Sequence, residues 1–144
     1  MRKSAINGLI TTFALSLGLG LATAADKAEI DHLSARAHQV NAAAKTPGMI
    51  QTALHDISVE TGVPIDEVKA LHKRHPEEGV GGVLIACAMT DETKKSPEKF
   101  MDIRATGKTW PAIARDNGVR MEKLNGRLDH LEKALNSQEK HYKR

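Results

Sequence analysis

One short pattern occurs twice in the chain and restricts the fold more than any other feature. It consists of an isoleucine, a glycine five positions later and a valine directly after the glycine. It occurs at Ile57, Gly62 and Val63, and again at Ile113, Gly118 and Val119. A glycine that follows a helix readily adopts the left-handed conformation, and the next residue then folds an apolar side chain back onto the last turn. We therefore predict that each pattern ends one helix and reverses the chain into the next.

The spacing of apolar residues elsewhere indicates helices. Apolar residues three and four positions apart recur along the chain, whereas no alternating pattern runs for more than a few residues. The segment GVGGVLIACAM, 79–89, is apolar on all sides, which is typical of a helix at the centre of a domain. The sequence thus predicts an all-α fold, a compact bundle of about six or seven short helices in which the two corners surround this central helix.

The first residues have the composition of a secretory signal peptide. Arg2 and Lys3 precede an apolar stretch, and the small residues Ala22 and Ala24 form a cleavage site. We predict that residues 1–24 are removed and that the mature protein is periplasmic or secreted. Without Arg2 and Lys3 the chain has 19 basic and 18 acidic residues, which does not provide the basic face of a nucleic-acid-binding protein. No later stretch approaches the roughly 20 apolar residues of a membrane helix, so we expect no membrane span in the mature chain.

The length of the mature chain suits one domain with one core. We predict this domain over residues 25–137, followed by a polar tail over 138–144. Helix 25–45, expected to be peripheral, has a narrow apolar stripe within 30–44, and the last helix has a similar stripe within 121–135. Such stripes resemble coiled-coil seams. Two alternatives remain open: the stripes pack against each other, or they face a second copy of the chain or another envelope protein.

The stretch GKTWPAIARDNGVRMEKL, 107–124, resembles the helical part of LysM peptidoglycan-binding modules and the helix-turn-helix of DNA-binding regulators. The residues that match the LysM pattern are Gly107, Thr109, Ile113, Ala114, Gly118, Val119, Glu122 and Leu124. LysM modules have a strand on each side, whereas both flanks of this stretch predict helix. The LysM resemblance implies a cell-wall ligand near Trp110, Thr109 and Lys108. The chain is also similar to a loose group of small bacterial exported helical proteins, which implies a fold and no activity.

The chain has seven histidines, which raises a metal hypothesis for an exported protein. His72 and His75 lie three positions apart on one predicted helix face, and His55 lies on the preceding helix, so a bundle could bring the three together around a metal ion. No carboxylate or cysteine stands at ligand spacing beside them, however. Cationic side chains near the carboxyl end of a helix are also favourable without any metal. We therefore favour a role in stabilising the helix end, and we expect no cofactor.

Nothing in the sequence combines an acid, a base and a substrate cleft, so we expect no enzyme. Cys87 lies in an apolar segment with no histidine within a turn, which predicts an inert thiol in the core. Trp110 has a structural interpretation as a packing residue of its hairpin. We expect an exported protein that binds a partner or acts as a scaffold in the cell envelope. The alternatives are a cell-wall ligand module that uses Trp110 and, third, a metal-binding bundle of histidines and methionines.

Overall fold

The computed structural model describes the backbone of residues 24–144 and the side chains of residues 32–144. This part of the chain forms seven helices and no strand. The helices are α1 Ala24–Ala43, α2 Pro47–Thr61, α3 Ile65–Arg74, α4 Gly79–Thr93, α5 Pro97–Ala105, α6 Trp110–Asp116 and α7 Met121–Tyr142. The predicted all-α bundle is therefore confirmed. The proposed signal peptide lies outside the described residues except for Ala24, and none of the described helices has the length and apolarity to cross a membrane.

The apolar helix α4 lies at the centre of the bundle, where it contacts α1, α2, α3, α5 and α7. Residues 80–89 are all buried. Gly81 allows α1 to come close, because a Cβ at this position would lie 2.5 Å from the carbonyl oxygen of Ala37. Asn41 of α1 caps the start of α4: its Oδ1 accepts a hydrogen bond from the Gly81 N–H at 2.7 Å, and its Nδ2 donates to the Glu78 carbonyl at 3.2 Å. A neighbouring helix thus supplies the cap that α4 lacks in its own sequence.

Both predicted corners are present. The φ angles of Gly62 and Gly118 are +74° and +69°, in the left-handed region that glycine adopts without strain. The apolar residues of the pattern are all buried, namely Ile57, Val63, Ile113 and Val119. The repeated pattern therefore does end a helix and reverse the chain, as the sequence predicts.

The two corners nevertheless use different hydrogen bonds. In the first, the Gly62 N–H donates to the Ser58 carbonyl at 2.9 Å, the single bond of an αL cap. The Ser58 hydroxyl donates to the Val63 carbonyl at 2.7 Å, and the Val63 N–H donates to the Thr61 hydroxyl at 3.4 Å. Side chains therefore complete the hydrogen bonding of this corner.

The second corner is a Schellman motif formed by the backbone. The Val119 N–H donates to the Ala114 carbonyl at 2.9 Å, and the Gly118 N–H donates to the Arg115 carbonyl at 3.1 Å. Ala114 occupies the position that corresponds to Ser58 in the first corner, and it has no hydroxyl. The Val119 N–H thus bonds to the backbone of its own helix, whereas the Val63 N–H bonds to the side chain of Thr61.

The apolar stripes of α1 and α7 pack inside this one chain. The described stripe of α1 and that of α7 belong to one continuous core, which runs from Leu33 to Leu135. Arg36 on α1 forms ion pairs with Asp129 and Glu132 on α7, the latter at 3.0 Å. The intrachain alternative is thus observed, and α1 is not peripheral. A partner could reach these stripes only if the two helices separated. The side chain of Ile30, at the start of the predicted seam, lies outside the description.

The last helix is longer than the sequence analysis predicts. α7 continues to Tyr142, so most of the segment 138–144, predicted as a polar tail, is helical. This segment has no glycine or proline to end the helix. An ion pair between Glu139 and Lys143 at 2.6 Å supports the last turn, and pairs at this spacing stabilise exposed helices.

Candidate ligand-binding cavity

The sequence KTPG, 45–48, forms the corner between α1 and α2. The Ala44 N–H still donates to the Val40 carbonyl at 3.1 Å, so the helical hydrogen bonding stops just before Lys45. Pro47 begins α2, where its fixed φ and missing N–H suit the first helical position. Thr46 caps the helix by accepting a hydrogen bond from the Met49 N–H at 3.4 Å. Lys45 therefore stands between two helices at an exposed position.

Helix α7 lies against both helices of this hairpin. It runs parallel to α1, because Arg36 pairs with residues near the middle of α7 and the end of α1 lies beside the end of α7. It runs antiparallel to α2, because Arg127, near the start of α7, donates to the carbonyl of Glu60 at the end of α2 at 2.7 Å. Arg127 also donates to Asp91 of α4 at 2.7 Å. This arrangement brings the end of α7 to the α1–α2 corner.

A cavity of about 460 Å³ lies where the end of α7 meets this corner. We call it the corner cavity. Its apolar lining includes Ala42, Ala43, Met49 and Tyr142. The small side chains of the alanines and of Gly48 leave the space open, since a Cβ on Gly48 would meet no atom within 4 Å. Binding sites for small molecules have volumes of about 300–1,000 Å³ and mostly apolar walls, so this cavity has the size and lining of a ligand site.

Three charged residues line the corner cavity: Lys45, Glu139 and Lys143. The last two neutralise each other, because the Lys143 ammonium donates a hydrogen bond to Glu139 at 2.6 Å. This hydrogen bond and the positive charge of Lys143 lower the pKa of Glu139, so the carboxyl is ionised at neutral pH. Within residues 32–144, no carboxylate lies at ion-pairing distance from Lys45. Counted over the described side chains, the cavity therefore has one uncompensated positive charge.

The residues predicted from the LysM resemblance lie elsewhere and have other contacts. Trp110 is 2% exposed and belongs to the core, and the guanidinium of Arg104 lies 5.5 Å from the centre of its ring. The Thr109 hydroxyl caps α6 by accepting a hydrogen bond from the Ala112 N–H at 3.3 Å. Lys108 pairs with Asp116. A ligand cannot stack on Trp110 while its ring is packed in this way.

The histidines singled out for metal binding do not form a metal centre in the described structure. No group of three or more histidine, cysteine, aspartate or glutamate side chains in the described part of the chain has the placement to hold a metal ion. His55 is 70% exposed and pairs with its neighbour Asp56 at 3.9 Å. His75 ends α3, and its Nε2 lies 3.1 Å from Glu98 on α5.

The contacts of His75 also correct one point of the sequence analysis. Two carboxylates do lie beside this histidine, since Glu77 is 3.5 Å from its Nδ1 and Glu98 is 3.1 Å from its Nε2. The second carboxylate could not be inferred from the sequence, because Glu98 lies 23 positions away. His75 and Glu98 thus connect the end of α3 to the first turn of α5. His72, at an intermediate level of exposure, lies one turn earlier on α3.

Cys87 is fully buried in α4. Burial raises the pKa of its thiol to about 12, and the nearby charge of Glu67 adds to the effect. The core position that the sequence predicts is confirmed, and a thiol with a raised pKa is protonated at neutral pH and is a poor nucleophile.

The sequence analysis did not identify the corner cavity. Its lining comes from the end of α1, the start of α2 and the end of α7, and alanine, glycine and lysine form no recognisable motif at these positions. The sequence feature that could have indicated the cavity is KTPG, 45–48. A proline and a glycine beside a lysine fill little space with side chains, so a corner of this composition can leave a cavity. A comparison with protein-family models, with curated proteins and with solved structures finds no match for this chain.

Proposed function

We propose that this chain is an exported, non-enzymatic binding module of the cell envelope that holds a small ligand in the corner cavity. The observation that supports the proposal is the combination of an open, largely apolar cavity with a lysine at its edge that has no ion pair within residues 32–144. Such a combination of apolar walls and few polar groups is typical of binding sites. It provides contact area and one point of orientation for a ligand.

The way in which the helices around the cavity are held in place supports a binding role. The cavity walls belong to α1, α2 and α7, and all three helices are anchored in the same continuous core. The Asn41 cap ties α1 to α4, and Arg127 ties α7 to α2 and α4. A site whose walls are held by the fold before the ligand arrives loses less entropy on binding.

Export is tested by the mass of the protein recovered from its own cell envelope. Cleavage after Ala24 gives a chain that begins with Ala25, so the intact mass should be that of residues 25–144. Recovery of the full-length mass from the cytoplasmic fraction would contradict the exported role. A mass spectrum of the same sample, recorded under native conditions, shows whether a small molecule co-purifies with the protein.

Binding in the corner cavity is tested with an uncharged fluorescent probe, N-phenyl-1-naphthylamine, whose emission rises in apolar surroundings. We expect saturable binding of one probe per chain. The variant Gly48→Phe should abolish this binding, because its ring occupies space that is open in the wild type. The matched control is Gly126→Phe, since Gly126 on α7 also has open space around it and does not line the cavity.

Two outcomes would contradict the proposed site. One is the absence of saturable probe binding to the wild-type protein. The other is binding that Gly48→Phe and Gly126→Phe weaken equally, which would place the probe elsewhere. Thermal unfolding of both variants, followed by circular dichroism, shows whether each is folded during the titration.

A further inference from the structure

We propose that the ligand of the corner cavity is a single-chain amphiphile with a carboxylate head group, of the fatty-acid type, whose head lies at Lys45. This inference rests on the proposed function and names the chemical class of its ligand. It follows from three properties of the cavity: its size, its apolar walls and the sign of its uncompensated charge.

The walls suit a flexible hydrocarbon chain better than a rigid or polar molecule. Ala42 and Ala43 offer smooth apolar surface along the end of α1, and Met49 offers a side chain that adapts its shape to the contact. Tyr142 is 87% exposed, so its ring is available to cover the chain from the α7 side. A volume of about 460 Å³ accommodates one acyl chain and is too small for a helix or a folded partner.

The charge at the edge selects the head group. Glu139 is already bound to Lys143 at 2.6 Å, so it neither attracts a cationic head nor leaves Lys143 free for an anion. Among the described residues that line the cavity, Lys45 remains as the ammonium without an ion pair. One positive charge matches a head with one negative charge, such as a carboxylate, better than a phosphate, which carries nearly two at neutral pH.

The acyl chain and the head group contribute differently to the free energy of binding. Each methylene group moved out of water strengthens binding by about fourfold, so the acyl chain provides most of the affinity. An exposed ion pair contributes a factor of up to about five. We therefore expect Lys45 to determine which head group is preferred and to have a small effect on the overall affinity.

The experiment is displacement of bound N-phenyl-1-naphthylamine by amphiphiles below their micelle concentration, at low salt. Dodecanoate should displace the probe at lower concentration than dodecyltrimethylammonium, which has a chain of the same length and the opposite charge. Decanoate, with two methylene groups fewer, should bind about 16-fold more weakly than dodecanoate. The variant Lys45→Gln should remove the preference for the carboxylate.

Lys133→Gln is the matched control, because Lys133 is an exposed lysine of α7 that does not line the cavity. It should keep the preference for dodecanoate. Equal displacement by the two head groups, or a preference that survives Lys45→Gln, would overturn the carboxylate assignment while probe binding still supported the cavity as a site. Failure of the probe itself to bind would overturn the proposed function as well, so the two failures are distinguishable.

Discussion

Truncation of Trp110 to alanine is expected to lower the free energy of unfolding by about 3–5 kcal/mol. The ring is 2% exposed, so its removal leaves a large hole in the core and takes away the partner of the Arg104 guanidinium. Domains of this size have total stabilities of about 5–15 kcal/mol. The variant should therefore unfold at a much lower urea concentration than the wild type.

The measurement is urea unfolding followed by far-ultraviolet circular dichroism, since the variant has no tryptophan to report fluorescence. Val59→Ala is the control, because Val59 is 72% exposed and its truncation should change the stability by no more than about 0.5 kcal/mol. A loss below about 1 kcal/mol for Trp110→Ala would contradict the buried position of the ring. It would instead support a ring that is accessible for stacking on a ligand.

Replacement of Gly81 by alanine is expected to lower the free energy of unfolding by about 2 kcal/mol. A Cβ on Gly81 would lie 2.5 Å from the carbonyl oxygen and 2.9 Å from the Cα of Ala37. Both atoms belong to the backbone of α1, which cannot move aside as a flexible side chain can. The helix must shift away from α4, and the shift also strains the hydrogen bond between the Gly81 N–H and Asn41.

The same substitution at Gly126 provides the matched comparison. Gly126 lies within α7, and a Cβ there would meet no atom within 4 Å. Alanine is a better helix former than glycine, so Gly126→Ala should raise the stability by about 0.5–1 kcal/mol. Urea unfolding of the two variants should thus give changes of opposite sign. Gly81→Ala should also speed hydrogen exchange in α1, and stabilisation by both variants would show that α1 and α4 are not in close contact.

The helix order and the corners could be predicted from the sequence because their causes are local. A helix stop at Gly62 or Gly118 depends on a few neighbouring residues, and the burial of α4 follows from its composition. The hydrogen bonds of the corners were harder to predict, since the side chains of Ser58 and Thr61 take part in the first corner and the backbone alone closes the second. The sequence analysis thus predicted the conformation of the two corners correctly and made no prediction about their hydrogen bonds.

The corner cavity could not be predicted for a different reason. Whether Ala42, Gly48 and Tyr142 come together depends on the direction in which α7 crosses the α1–α2 hairpin, and apolar spacing within single helices contains no information about direction. The same limit explains why the sequence left the stripes of α1 and α7 open to two interpretations. Conversely, the residues with distinctive chemistry, Trp110 and Cys87, are buried and have packing roles.

The parallel contact between α1 and α7 affects when the protein can fold. Arg36 meets Asp129 across 93 positions of sequence, and contacts of such long range close late because a large loop must first be ordered. Helix α1 cannot form its contacts with α7 until α7 has been synthesised. A core that the last helix completes cannot form in full before that helix has been synthesised, which suits the export that we propose.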